Sequence, residues 1–183
     1  MCLTGASSGR IGDVAESLVR SLDRAGNRAL LVDADTERRA LSRRLGGAER
    51  PGLLDAVAHG SDPRRLVLTT RPAPGSVDAP VHLLPAGTPS SAELATHLLR
   101  RLLERLTLQF NLVIISGPPL GEAEDIEHLV SAADCWLLVA DANLTAGRLG
   151  DARVLMERTG TPMMGTLGVD GAVNPSRQPT SVG

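Results

Sequence analysis

Two acidic side chains at the end of an apolar run have the clearest capacity for chemistry in this sequence. Asp33 and Asp35 follow residues 29–32, which are apolar without alternation, as expected of a strand buried on both faces of a parallel sheet. Open α/β sheets bind their ligands at the carboxyl ends of such strands. Both carboxylates are therefore placed where a ligand would bind, although acids that cap the next helix or face solvent would show the same spacing.

A glycine-rich turn is the second stretch with chemical potential. Residues 5–12 read Gly-Ala-Ser-Ser-Gly-Arg-Ile-Gly and separate a short predicted strand over 1–4 from a predicted helix over 13–25. Free backbone N–H groups at a helix N-terminus can bind phosphate. Asp13 could cap this helix, with Glu16 as its capping-box partner.

The elements that must position these residues alternate along the chain. Apolar runs predict strands, and apolar positions at helical spacing predict the intervening helices. This alternation is typical of an α/β domain with a mostly parallel, doubly wound sheet. The predicted strands are 1–4, 29–32, 66–69, 81–84, 112–115, 137–140 and 163–169, and the predicted helices are 13–25, 36–45, 53–58, 92–109, 122–132 and 145–158.

Length and composition limit the classes of function. A chain of 183 residues is most simply one domain, predicted over residues 1–172, with a flexible tail over 173–183. The net charge of −2 favours no bulk attraction to nucleic acid or to an anionic membrane. All 19 basic residues are arginine and tyrosine is absent, so no mechanism can use a lysine ammonium or a tyrosine hydroxyl of this chain.

Signals for export, membrane insertion and metal binding are absent from the sequence. There is no signal peptide, and no apolar run approaches the roughly 20 residues that a membrane helix needs, so we expect a cytoplasmic location. The first strand is short, so an upstream part could be missing. The two cysteines and four histidines have no metal-ligand spacing, and no metal site is expected.

The glycine-rich turn fits one dinucleotide motif in part. Residues 4–12 look like the TGxxxGIG turn of short-chain dehydrogenases with Arg10 inserted, and Asp33 would then bind the adenosine ribose. Those enzymes use a Tyr-x-x-x-Lys pair for hydride transfer, and this chain has neither residue type. A dinucleotide-binding oxidoreductase is therefore the least favoured alternative.

A second set of motifs is spread over most of residues 3–170. Its segments are LLVDAD at 30–35 with an arginine-rich stretch after it, GLLDAV at 52–57, LLPAG at 83–87, AEL at 92–94 and FNLVIISGPP at 110–119. In order and spacing they resemble the bacterial tyrosine kinases of capsule and exopolysaccharide synthesis, within the MinD/ParA-like group of P-loop ATPases. The resemblance implies a P-loop NTPase-like three-layer sandwich that binds ATP and Mg²⁺ at the glycine-rich turn.

The resemblance breaks at the positions that bind phosphate and metal in this family. A P-loop reads G-x-x-x-x-G-K-[ST], and alignment places Ile11 at the lysine and Gly12 at the metal-binding hydroxyl. Asp13 adds negative charge, Arg10 is the nearest cation, and Ser116 takes the place of the Walker B aspartate. The degenerate nucleotide-binding loop is assigned to Gly5, Ser8, Gly9, Arg10, Ile11, Gly12 and Asp13. An adenine-reading asparagine is missing near residues 169–170, and the tail has no tyrosine.

Four arginines form a further candidate site on the predicted helix over 36–45, namely Arg38, Arg39, Arg43 and Arg44. The resembling kinases use an arginine-rich helix for ring assembly, which would make these residues an interface in a homo-oligomer. The acidic run from Glu122 to Glu127 could be the partner surface. A solvated helix face would show the same charge stripe.

The expected function is that of a catalytically degenerate homologue of the polysaccharide-synthesis tyrosine kinases, acting as a regulator or scaffold. No catalytic residue is expected, with Asp33 and Asp35 as residual candidates, and no cofactor unless the site still uses ATP and Mg²⁺. The expected partner is a membrane-embedded chain-length or export protein or an active sister kinase, and membrane association would occur only through it. The alternatives are a weak ATP or ADP binder, through Arg10 and the amides of residues 5–12, and an atypical ATPase or tyrosine kinase.

Overall fold

The computed structural model describes residues 1–70, 80–89 and 93–169. Its strands are β1 (Cys2–Gly5), β2 (Ala29–Asp33), β3 (Leu68–Thr69), β4 (His82–Leu84), β5 (Leu112–Ser116), β6 (Trp136–Ala140) and β7 (Met163–Gly168). Its helices are α1 (Ser8–Arg24), α2 (Ala40–Arg44), α3 (Leu53–His59), α4 (Thr96–Thr107), α5 (Ile126–Ala132) and α6 (Ala146–Thr159), with one 3₁₀ turn at Pro63–Arg65. The predicted tail over 173–183 and the predicted helix start at residue 92 lie outside the described residues.

The strands form one sheet in the order β3-β4-β2-β5-β1-β6-β7. Every neighbouring pair is parallel except β3 and β4. Because the strands are parallel, β1, β2 and β5 end at the same edge, and Asp33 of β2 pairs in register with Ser116 of β5. The predicted mostly parallel α/β sheet is confirmed, with each predicted strand found within a few residues of its predicted limits.

Helices cover both faces of the sheet and make three layers. On one face α1 packs Ile11, Ala15 and Val19 against strand residues such as Leu31 and Ile114. On the other face α3, α4, α5 and α6 enclose a second core that contains Trp136. The predicted three-layer sandwich is therefore confirmed. Along the described residues, no helix is both long enough and apolar enough to cross a membrane.

The start of α1 differs from its prediction. The helix begins at Ser8, five residues before Asp13, so Gly9 to Gly12 lie inside the helix and Asp13 does not cap it. The physical reason is that Ile11 is buried and extends the apolar stripe of α1 by one turn. This burial compensates for the weak helix propensity of Gly9 and Gly12, so the helix starts early. The connection between β1 and α1 is therefore only two residues long, Ala6 and Ser7.

Three other helices are shorter than predicted, and one of them is α4, which was predicted over 92–109 and is helical at Thr96–Thr107. The helix predicted over 36–45 is helical only at Ala40–Arg44, because Asp35 holds a turn ahead of it: the Asp35 backbone carbonyl accepts the N–H of Arg39 at 2.7 Å. Arg39 itself has a left-handed backbone, with φ of 52°. The acidic residues predicted to open a helix at 122 lie in turns, and α5 begins at Ile126.

Candidate functional site

The turn between β1 and α1 packs closely against β6 at its first glycine. A Cβ on Gly5 would lie 2.2 Å from the carbonyl oxygen of Val139, so β6 leaves no room for a side chain there. Ser7 occupies the N-cap position of α1, but its side chain does not cap the helix. Its hydroxyl donates to the carboxylate of Asp141 instead. The N-terminus of α1 therefore keeps backbone N–H groups without a side-chain acceptor.

The two positions aligned with phosphate-binding groups point into the protein. Ile11 is 0% exposed, within the core that α1 forms with the sheet. A Cβ on Gly12 would lie 3.3 Å from Cγ of Leu41, so this position contacts α2. An apolar side chain at the lysine position supplies no charge to β- and γ-phosphates.

Charged groups near the start of α1 pair with one another. Arg10 lies 3.9 Å from Asp13, and Arg44 donates to Asp13 at 2.7 Å and to Glu16 at 2.6 Å. Burial opposes ionisation of Glu16, but hydrogen bonds from Arg20 and Arg44 outweigh it and lower the pKa of Glu16. The candidate cation Arg10 and the candidate interface residue Arg44 thus belong to an ion-pair network that joins α1 to α2.

Asp33 is a buried structural acid in this structure. Its side chain is 1% exposed, and its Oδ2 accepts the backbone N–H and the hydroxyl of Ser42, each at 2.7 Å. The Ser42 hydroxyl oxygen in turn accepts the N–H of Ala86 at 2.9 Å. Burial raises the pKa of Asp33 and outweighs the two hydrogen bonds, and the nearby negative charge of Asp35 adds to the rise. Asp33 therefore ties β2 to α2 and to the segment after β4.

Asp35 shapes the turn that follows β2. Its Oδ1 accepts the N–H of Arg38 at 3.2 Å and lies 3.9 Å from the Arg38 guanidinium. Beside it is a cavity of about 410 Å³ whose acidic lining residues are Asp35, Glu37, Glu122, Glu124 and Asp125. The described residues contain no group of three or more His, Cys, Asp or Glu side chains arranged to hold a metal ion.

Ser116 lies where the Walker B carboxylate is expected. It ends β5 between the two neighbouring strands, in register with Leu3 on one side and with Asp33 on the other. Its side chain is buried, and its carbonyl oxygen accepts the N–H of Ala34 at 2.9 Å. The structure thus brings together Asp33 and Ser116, the residue that the sequence resemblance assigns to the Walker B position.

The four candidate interface arginines do not form one surface. Arg38 forms an ion pair with Glu122. The Glu122 carboxylate also pairs with Arg148, whose guanidinium nitrogen lies 2.5 Å from Oε1 of Glu122. Arg39 donates to the carbonyl of Ala48, and its Nε is buried without a partner. Arg44 binds α1, as described above. Of the four, only Arg43 is exposed with a side chain that forms no hydrogen bond or ion pair to another described residue.

Two important groups were not predicted from the sequence. Ser42, the partner of Asp33, is a serine in an arginine-rich stretch, and no motif singles it out. Arg148 donates to the Leu120 carbonyl and to Glu122, and so joins the start of α6 to the loop after β5. Only its position after β6, at the same edge of the sheet as Asp33, could have suggested a role.

Sequence relatives of this chain are tyrosine-protein kinases. It is 27% identical to the tyrosine-protein kinase CpsD of Streptococcus agalactiae over 153 residues, which cover 82% of this chain and 66% of that protein. It is 31% identical to the putative tyrosine-protein kinase EpsB of Ralstonia solanacearum over 139 residues, 75% of this chain and 18% of that protein. No protein-family profile matches the chain.

Solved structures with the same fold include kinase domains and MinD proteins. The kinase domain of the Escherichia coli tyrosine kinase ETK superposes with a TM-score of 0.78 at 22% identity, covering 100% of this chain and 71% of that chain. The MinD cell division protein of Aquifex aeolicus superposes with a TM-score of 0.65 at 20% identity, covering 92% and 67%. The chain spans 66% of the length of CpsD. It is a homologue of the bacterial tyrosine-protein kinases, built on the fold that these kinases share with MinD-type ATPases.

Proposed function

We propose that this chain is a catalytically degenerate relative of the polysaccharide-synthesis tyrosine kinases and acts as a regulator or scaffold. The observation that carries the proposal is Ile11, a fully buried apolar side chain at the position of the phosphate-binding lysine. A loop that has lost this cation, its neighbouring hydroxyl and the Walker B acid retains no group known to neutralise the transferred phosphate.

Electrostatics at the strand ends supports the same conclusion. The cavity beside Asp35 has five carboxylates in its lining, and Asp13 and Asp141 flank the start of α1. A carboxylate about 4 Å from a phosphate charge raises the free energy by ~4 kcal/mol at an effective dielectric constant near 20. One such contact would weaken binding by roughly a thousandfold. Asp13, Asp35 and Glu122 are paired with arginines, so the repulsion of a nucleoside triphosphate would come from the other carboxylates that line this cavity.

Asp33 supports the proposal through its hydrogen bonds. A carboxylate that assists phosphoryl transfer must reach the metal ion or the attacking group. The Oδ2 of Asp33 is instead occupied by two donors from Ser42, and the side chain is buried. Asp33 and Asp35 are therefore assigned structural roles in positioning the segment that contains α2.

The partner is inferred from the family. A membrane-embedded chain-length or export protein, or an active sister kinase, would recruit this chain, so its place at the membrane would depend on the partner and its own location would be cytoplasmic. Assembly with further copies could use Arg43, which is free in the described structure. ATP and Mg²⁺ would take no part.

A weak nucleotide binder is the second candidate function. The observation in its favour is the N-terminus of α1, a helix of 17 residues that begins without a side-chain cap. Its free N–H groups and its dipole attract anions. This candidate predicts ADP or ATP binding that depends little on Mg²⁺.

Two measurements on the purified chain test the proposal. The first measures ATP hydrolysis and tyrosine phosphorylation by the wild type and by Asp33→Ala, with no turnover expected in either. The second measures how this chain changes the tyrosine phosphorylation of an active sister kinase, where a dose-dependent change is expected. Turnover by the wild type that disappears in Asp33→Ala would refute the degenerate assignment, and an unchanged sister kinase would refute regulation through that partner.

A further inference from the structure

A small cavity between α3 and α4 combines an apolar floor with two arginines. Its volume is about 150 Å³, its floor includes Val57, Pro63, Leu98 and Leu102, and Arg101 and Arg105 stand at its rim. We name this feature the α3–α4 niche. It is built from α3, the following 3₁₀ turn and one face of α4, and shares no lining residue with the acidic cavity beside Asp35.

The two arginines of the niche have no direct side-chain partner among the described residues. They are four residues apart on α4, so their side chains leave the same face of the helix as neighbours. Neither guanidinium forms a hydrogen bond or an ion pair within 4 Å to any described residue. Like charges at this spacing repel each other, and an anion between them would relieve the repulsion.

The carboxylates nearest to the niche bond to other residues or line another cavity. Asp62 accepts the N–H and the guanidinium of Arg64, at distances from 2.7 to 3.2 Å. Those bonds, with the positive charges of Arg64 and Arg105, lower the pKa of Asp62 to about 2. Glu104 precedes Arg105 on α4 but lines a different cavity, together with Arg100. Asp62 therefore feels the charge of Arg105 but bonds to Arg64, which leaves the guanidinium groups of Arg101 and Arg105 without a directly bonded carboxylate among the described residues.

We propose that the α3–α4 niche binds an acidic peptide segment of a partner protein, with one apolar side chain on the floor and a carboxylate paired with Arg101 and Arg105. The planar guanidinium fork matches a carboxylate and can bind it bidentately. A cavity of this volume accepts a group about the size of benzene, which suits a single leucine side chain. Bare phosphate is less suited, because it would lose hydration against the apolar floor without compensation.

Calorimetry with unlabelled peptides tests this proposal on the full chain. The probe is the capped peptide Gly-Glu-Glu-Leu-Glu-Glu-Gly, compared with one in which glycine replaces leucine and one in which glutamine replaces each glutamate. The protein variants are Arg101→Gln with Arg105→Gln, and as a matched control Arg153→Gln with Arg158→Gln on the exposed face of α6. Thermal melts of both variants check that each is folded.

Saturable binding of the leucine peptide is expected, weakened at least about tenfold by the niche substitutions and by either change to the peptide, and unchanged in the control variant. No saturable binding at millimolar peptide would overturn the proposal. Equal weakening in both variants would indicate only general attraction between charges and would also overturn it. Equal affinity for the leucine peptide and its glycine variant would also overturn the proposal. The same holds if inorganic phosphate displaces the peptide as effectively as unlabelled peptide does. None of these outcomes depends on nucleotide binding, so the test is separate from that of the proposed function.

Discussion

Replacing Ser42 with alanine tests whether Asp33 is a structural acid. The hydroxyl of Ser42 donates to the buried carboxylate of Asp33 and accepts the N–H of Ala86. A hydrogen bond to a charged group contributes about 1.5–3 kcal/mol, and a buried N–H left without an acceptor costs about 1–3 kcal/mol. Ser42→Ala should therefore lower the free energy of unfolding by about 2.5–6 kcal/mol. That is a large part of the roughly 5–15 kcal/mol that holds a typical domain folded.

Urea denaturation of Ser42→Ala and of a matched control gives the measurement. The control is Ser21→Ala on α1, whose exposed hydroxyl bonds only to the carbonyl of Ser17, and it should change stability by less than about 0.5 kcal/mol. The loss in Ser42→Ala should shrink in mildly acidic buffer. The pKa of Asp33 is raised in the folded chain, so the native state keeps its proton to higher pH than the unfolded state and stability falls as pH rises through that interval. A loss below about 1 kcal/mol would refute the structural role and leave Asp33 free for chemistry.

Further predictions concern glycine and a helix cap. Gly9→Ala should raise the free energy of unfolding by about 0.5–1 kcal/mol, because a Cβ at this position of α1 has no atom within 4 Å. Gly5→Ala should lower it by more than about 1–3 kcal/mol, because the added Cβ would clash with β6. Thermal melts of both variants measure the difference, and equal effects would contradict the described turn. Asp55→Asn should cost about 0.5–2 kcal/mol at neutral pH, since the Asp55 carboxylate accepts the hydroxyl of Thr88 and the N–H groups of Thr88 and Gly52. Burial opposes ionisation of Asp55, but these bonds outweigh it and lower its pKa, so the stability it contributes is present above the unfolded value of 3.8 and is lost as pH falls below it. Acid titration followed by circular dichroism should find Asp55→Asn less sensitive to that fall than the wild type, with Asp134→Asn as an exposed control; equal acid sensitivity would argue against the cap.

Much of the fold could be predicted because burial dictates the residue pattern of a parallel strand. Residues 29–32 and 112–115 are continuous apolar runs, and both are central strands of the sheet. The start of α1 could not be predicted in the same way. Glycine and serine indicate a turn, and only the tertiary burial of Ile11 makes residues 8–12 helical. At these residues local propensity favours a turn and tertiary packing favours a helix, and the packing contribution is the larger one.

The candidate site was predictable as a location but not in its contacts. The sequence places Asp33 and Ser116 at neighbouring strand ends, and the register confirms it. It could not predict that Ser42 would occupy the Asp33 carboxylate, because that bond depends on how α2 packs over β2. The arginine-rich stretch was predicted as one helix face. Its arginines instead contact different parts of the protein, because the backbone at Arg39 is in the left-handed region and interrupts the helix.

Calorimetric titration of the purified chain with ATP and ADP, each with and without Mg²⁺, determines whether the chain still binds a Mg²⁺-nucleotide. In the proposed function, Ile11, Gly12 and Ser116 replace the lysine, the hydroxyl and the aspartate that would bind a Mg²⁺-nucleotide. We expect no Mg²⁺-dependent binding at millimolar nucleotide, with at most weak binding that Mg²⁺ does not change. Saturable binding that requires Mg²⁺ would contradict it, and would return Asp33 and Asp35 to the role of metal-site carboxylates.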